Sequence, residues 1–208
     1  MKKIILASGS PRRKMLLEWA EIPFEVYVSD ADESFLDGGD PADIACQIAL
    51  VKNKVSYDVY EKSDTDFVII SADTIVVFNE KIIGKPKSRT EAIETLTLLS
   101  GQTHRVITAV CIADRTNQVL FSETTKVSFH ELTLSQIEHY VDTYQPYDKA
   151  GAYAIQEWIG VVGIKNIEGD FYNVMGLPVS KVVQKLEEIF LTAKDDHQLK
   201  STSSLISG

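Results

Sequence analysis

Ile4-Ile5-Leu6-Ala7-Ser8-Gly9-Ser10-Pro11-Arg12-Arg13 reads as a strand that runs through a tight loop straight into a helix. The apolar run over 3–7 is too short for the core of a secretory leader, and Ser8-Gly9-Ser10 ends it, so it is a first strand. Ser10 is a suitable N-cap and Pro11 suits the first helical position, which predicts a helix over 11–20. The free amides and positive dipole end of such a helix point at whatever lies above the strand. Arg12 and Arg13 add two guanidinium forks of the kind that grip phosphate oxygens. The plainer alternative is an ordinary capped helix with arginines facing solvent.

The pattern on either side of this junction is that of an α/β chain. Strands are expected at 24–29, 67–70 and 75–78, then 82–83 after a turn at Asn79-Glu80-Lys81. A helix over 41–56 carries an apolar stripe of Ile44, Ile48, Val51 and Val55. Ser88 and Glu91 are spaced as a capping box for a helix over 88–99, with Gly101 just past its end. Strands near 104–114 and 118–130 make a hairpin around Thr116-Asn117. A helix near 133–144, a loop over 146–157 and a strand near 161–167 follow. Pro178 opens a last helix with Val179, Val182, Val183, Leu186 and Ile189 on one face. Residues 1–190 are read as one domain and 191–208, polar and without periodicity, as a disordered tail.

With 208 residues the chain can bury a core without disulfides. No apolar run is long enough to span a bilayer, and no targeting segment is evident, so a cytoplasmic protein without a membrane partner is expected. Cys46 and Cys111 stand apart and read as small hydrophobes rather than a disulfide or metal motif. The net charge of −9 argues against a duplex nucleic acid partner. It also requires any polyphosphate ligand to be met by locally gathered cations.

Asp73 lies within Val68-Ile69-Ile70-Ser71-Ala72-Asp73-Thr74-Ile75-Val76-Val77. A carboxylate in such a run is costly unless paired or bound to a cation. It is read either as a metal ligand or general base, or as a turn-forming residue between two strands. Glu33 sits in an acidic loop with Asp30 and Asp32. Lys52 and Lys54 flank opposite edges of the helical stripe, and the period does not choose between them. Lys85, held beside Pro86, follows a strand. The four histidines are scattered and make no zinc pattern, and His104 is read as structural. The stretches 147–156 and 169–178 are small-residue loops that either pack or let a ligand approach closely.

These segments, taken in order up to about residue 190, resemble the Maf family of nucleotide pyrophosphatases. The resemblance is carried by Ser8 to Arg13, Glu33, Lys52, Ser71-Ala72-Asp73-Thr74, Gly84-Lys85-Pro86, Leu99-Ser100-Gly101 with His104, the Lys149–Gln156 loop, and Gly169-Asp170 to Pro178. It implies an α/β fold with a mixed, strongly curved sheet flanked by helices, two lobes around a nucleotide-binding cleft, and a homodimer. It selects Lys52 over Lys54. It implies Asp73 as catalytic proton acceptor, with Ser10, Arg12, Arg13, Lys52, Thr74, Lys85 and Gln156 on the substrate. Arg12, Thr74 and Gln156 would set base preference, and Glu33 and Asp73 would hold Mg²⁺ or Mn²⁺. The stretch Ala150 to Gln156 is similar to the subgroup that cleaves dTTP and UTP, except that Ala154 stands where glycine is common. The 7-methyl-GTP subgroup and a regulator of septum formation with little catalysis are the alternatives. A covalent aspartyl-phosphatase site is disfavoured, because Ile75 stands where a second Asp is usual.

Overall fold

The computed structural model describes residues 2–28, 39–62 and 66–191. Glu33 and residues 192–208 lie outside the described residues. The elements are β1 (Lys3–Leu6), α1 (Pro11–Trp19), β2 (Glu25–Val26), α2 (Pro41–Tyr60), β3 (Phe67–Phe78), β4 (Lys81–Ile83), α3 (Arg89–Leu99), β5 (Thr103–Ala113), β6 (Gln118–Phe129), α4 (Leu134–Tyr144), α5 (Trp158–Gly163), β7 (Ile164–Glu168) and α6 (Phe171–Met175). A last helix, α7, covers 179–191, so Leu191 still belongs to it.

The strands form one mixed sheet in the order β2-β1-β3-β5-β6-β7, with β4 paired to β3. β1 runs parallel to both β2 and β3, and the remaining pairings are antiparallel. Because β2 and β3 lie on opposite sides of β1, the chain order reverses at the carboxyl end of β1, where open α/β sheets place ligands.

The strand period of two sends alternate residues of β3 to opposite faces. Ile70, Ala72 and Val76 join Leu16 and Leu17 of α1, Leu96 of α3, Tyr140 of α4 and Val182 of α7 in the main core. Ile75 and Val77 pack on the other side with Ala45 and Ala49 of α2. Helices therefore cover both faces, as the α/β reading requires.

β3 is one continuous strand, not two segments broken at Ser71 to Thr74. β5 pairs with it from Ile69 to Val77, including Asp73 opposite Ala109, and this ladder overrides the local turn signal. On its other edge β3 pairs with β1 only to Ile70 and with β4 only from Val76. Among the described residues no strand covers that edge between these two pairings, and Asp73 and Thr74 sit in the gap. The β3–β4 turn is a two-residue hairpin with positive φ at both Asn79 and Glu80, a conformation whose twist matches that of the flanking strands.

Helix α2 continues a turn beyond the expected 56 and uses a different face. Its buried residues are Pro41, Ile44, Ala45, Ala49, Asn53 and Ser56, while Ile48, Val51 and Val55 are only partly covered. Small side chains let it approach the sheet closely enough for direct hydrogen bonds. Asn53 Nδ2 donates to the carbonyls of Ile69 and Cys111 at 3.1 Å each, and Ser71 Oγ donates to Ala49 O at 2.7 Å. The strand expected near 161–167 is instead α5 followed by β7 at Ile164–Glu168. A Cβ on Gly160 would lie 1.7 Å from Ile155 O, so only glycine allows this helix start to press on the preceding loop.

Candidate active site

The gap in the β3 edge opens into a cleft of about 330 Å³. Ser10, Arg12, Arg13, Asp73, Thr74, Lys85 and Gln156 all line it, although they come from four separate parts of the chain. Lys149 and Asp148 line it too. Four cationic side chains, Arg12, Arg13, Lys85 and Lys149, thus face two carboxylates, Asp73 and Asp148. In a molecule of net charge −9 this local excess selects for an anion.

The start of α1 is left uncapped. Ser10 occupies the N-cap position, but its side chain makes no capping hydrogen bond, and the first turn holds no acidic residue. Asp40, Ser88, Thr133 and Asp170 each accept from their own helix's first turn, whereas Glu157 at the start of α5, like Ser10, makes no such bond. At α3 the box is altered: Ser88 caps Glu91 N, while Glu91 Oε2 accepts from Lys87 N at 2.7 Å. Among the described residues no side chain caps this start, and the positive end of the helix dipole opens toward the cleft.

The two neighbouring arginines differ. Arg13 is buried, and donates to Gly176 O at 2.8 Å, Ser8 Oγ at 3.0 Å and Thr74 Oγ1 at 3.0 Å. It ties the β1–α1 loop to β3 and to the end of α6. Arg12 is only partly covered and meets Asp148 at 3.4 Å, a long contact that a better acceptor can replace. Thr74 Oγ1 also lies 3.0 Å from Thr108 Oγ1, which donates to Asn173 O at 2.9 Å.

Asp73 projects to the opposite face from Thr74. Its Oδ1 accepts from Lys52 Nζ at 2.8 Å, and no other hydrogen bond holds its carboxylate among the described residues. Lys54, two residues on along the same helix, is exposed. Lys52 is not among the described residues lining the cleft; it reaches Asp73 from α2. Lys85 is exposed on the segment after β4, and Gly84 O beside it accepts from Gly151 N at 3.2 Å. Gly151 has φ 72°, and a Cβ there would meet Val76 at 3.0 Å, so glycine is required on both counts.

His104 is buried as expected of a structural residue. Its Nε2 lies 2.7 Å from Tyr153 OH, its ring stacks on Phe129, and burial lowers it to about pKa 4. Of the 146–157 loop the sequence points only to Gln156, but Asp148, Lys149 and Tyr153 share the cleft wall. The adjacent Asp148-Lys149 pair, just before Ala150-Gly151-Ala152, was the available signal. Among the described residues no three His, Cys, Asp or Glu side chains gather as a metal site, and no helix is long and apolar enough to cross a membrane. Cys46 and Cys111 are free.

These features define an α/β protein with a cationic cleft at the switch point of a mixed sheet. Residues 3–189 match the Maf-like protein family. The chain belongs to that family. It is 46% identical over 188 residues to proteins named dTTP/UTP pyrophosphatase from Bacillus cytotoxicus and Bacillus cereus, alignments that cover 90% of this chain and 96% of each relative. Among solved structures, the Staphylococcus aureus Ham1 protein aligns over 62% of this chain and 73% of its own, at 15% identity and a TM-score of 0.41.

Proposed function

We propose that the protein hydrolyses nucleoside triphosphates, dTTP and UTP above all, to the monophosphate and pyrophosphate. The observation that carries the reading is Asp73, bonded among the described residues through one carboxylate oxygen only, beside the arginine-bearing start of α1 in one cleft. The names of the 46% identical relatives support the same substrates.

In this reading Asp73 accepts a proton from a water molecule whose oxygen attacks the α-phosphorus. The bond from that phosphorus to the bridging oxygen breaks, and pyrophosphate leaves with its electron pair. Lys52 fixes one Asp73 oxygen and leaves the other for the water. Base work of this kind contributes roughly 10²–10⁴ in rate. Arg12, Lys85, Ser10 and the α1 amides bind the phosphates, and Arg13 keeps the loop that presents them in place. Stabilising the phosphate charge is the larger effect.

A hard divalent cation suits a cleft bordered by carboxylates, where among the described residues no cluster of nitrogen or sulfur ligands gathers. Asp73, with Glu33, would hold Mg²⁺ or Mn²⁺, which when bound neutralises phosphate charge and polarises the reacting phosphoryl group. Gln156 would offer its carboxamide to the N3–H and O4 edge of uracil or thymine, with Thr74 and Arg12 helping to set the preference. A cytoplasmic homodimer completes the reading.

The test is pyrophosphate release from dTTP, UTP, CTP and 7-methyl-GTP at limiting concentration, with Mg²⁺, with Mn²⁺ and with chelator. Preference for dTTP and UTP, lost with chelator, is expected. Equal rates across the panel would remove the pyrimidine assignment.

A further inference from the structure

We infer that Tyr140, which does not line the cleft, is a positioning residue that fixes the base-reading segment Ile155-Gln156. The inference rests on the reading of the cleft given above. Tyr140 is fully buried on α4, stacked on Tyr144. Its hydroxyl accepts from Ala154 N–H at 3.1 Å and donates to Glu157 Oε2 in a short hydrogen bond. One oxygen thus joins the two residues that flank Ile155 and Gln156. Burial, reinforced by the Glu157 carboxylate, pushes the phenol well above its usual range, so it keeps the proton that it donates.

The rest of the segment is closed to match. Glu157 N donates to Ala154 O at 3.1 Å, and Gly160 presses against the Ile155 carbonyl. Ala154 and Ile155 are buried, whereas Gln156 is exposed in the cleft wall and its side chain has no hydrogen-bond partner among the described residues. Among the described residues no bond on that side chain sets where it reaches; the backbone beneath it does. Glu157 also lies 3.7 Å from Lys149, which bonds Asp148 at 2.8 Å, and Asp148 meets Arg12. A chain of charges therefore links the Tyr140 staple to the phosphate-binding side.

The chemistry of the base gives this placement a consequence. A carboxamide carries a donor and an acceptor, and turning it over exchanges them. The corresponding edges of uracil and cytosine differ by that same exchange. A loosely held Gln156 would read both bases, so discrimination requires a fixed mount.

The experiment compares kcat/KM for UTP and CTP in wild type, Tyr140→Phe, Glu157→Ala and Glu157→Gln, each with a thermal melt. Wild type prefers UTP. Tyr140→Phe and Glu157→Ala should lower the UTP-to-CTP ratio on the order of tenfold, in keeping with the sensitivity of bound geometry to small displacements. Glu157→Gln, whose carbonyl still accepts the phenol proton, should retain the ratio. A cooperatively melting Tyr140→Phe protein with an unchanged ratio overturns the inference and leaves the functional reading standing. A wild type indifferent to the base overturns both. If Tyr140→Phe does not fold, equal ratios in the two Glu157 variants overturn the inference, and a split between them supports it.

Discussion

Two lysine–aspartate pairs flank β1, and they differ in how fully the protein bonds the carboxylate. Lys2, just before the strand, meets Asp114 at 2.5 Å; Lys52 meets Asp73 at 2.8 Å beyond the strand's carboxyl end. Burial does not separate them sharply, since the aspartate side chains are 0% and 13% exposed. Saturation does. Asp114 also accepts from Thr116 N and Asn117 N at 2.7 Å each and from Thr116 Oγ1, so it closes the β5–β6 turn with both oxygens engaged. Asp73 has a single partner among the described residues and borders an open cleft. A carboxylate whose hydrogen bonds are all supplied by the protein holds the fold, whereas one with fewer partners at a cleft suits the proton acceptor proposed above.

The largest effect that tests this contrast is on turnover. Asp73→Asn keeps the size of the side chain and an acceptor for Lys52, but removes the proton acceptor. Pyrophosphate release from UTP should fall roughly 10²–10⁴-fold, with a cooperative melt retained. Near-normal turnover would break the comparison at its catalytic end. Asp114→Ala should do the reverse. Stranding the turn amides and Lys2 should cost about 2 kcal/mol, or about 4–8 °C in melting temperature for a chain of this size. Turnover per folded molecule should stay as in wild type; a large loss of turnover with an unchanged melt would mean that the two pairs are not separable in this way.

Local chemistry was enough to read one end of this comparison. The β1–α1 junction follows from an apolar run stopped by Ser-Gly-Ser and a proline at the first helical position, and the structure has a strand, loop and helix there. The hairpin around Thr116-Asn117 was equally legible, because Asp114 satisfies its turn from within four residues. Non-local pairing was not legible. The polar stretch Ser71 to Thr74 carries a turn signal that only the register with β5 overrides. Val161-Val162-Gly163 opens the stretch whose β-branched residues predict a strand near 161–167, but Val161 is 81% exposed and Gly160 before it is held against Ile155, so these residues end the helix α5. Seven of the predicted site residues line one cleft, while Tyr140 could not be found from the sequence, because its contacts with Ala154 and Glu157 depend on how α4 packs beneath the loop.

The smallest effect sharpens the structural end. Burial alone would raise the Asp114 carboxyl, but the hydrogen bonds from Lys2, Thr116 N and Asn117 N outweigh it and hold the pKa at about 2, below the ordinary 3.8. The unfolded chain therefore takes up this proton before the folded one does as pH falls. The stabilisation from Asp114 is complete above about pH 4 and is lost progressively toward pH 2. Other carboxylates titrate in the same range, so the difference between proteins is the readout. Wild type should lose urea resistance between pH 5 and pH 2.5 more steeply than Asp114→Ala, and the two curves should converge at the acid end. Parallel curves would show that Asp114 contributes no charge-dependent stability, and the contrast between a saturated and an unsaturated carboxylate would then rest on Asp73 alone.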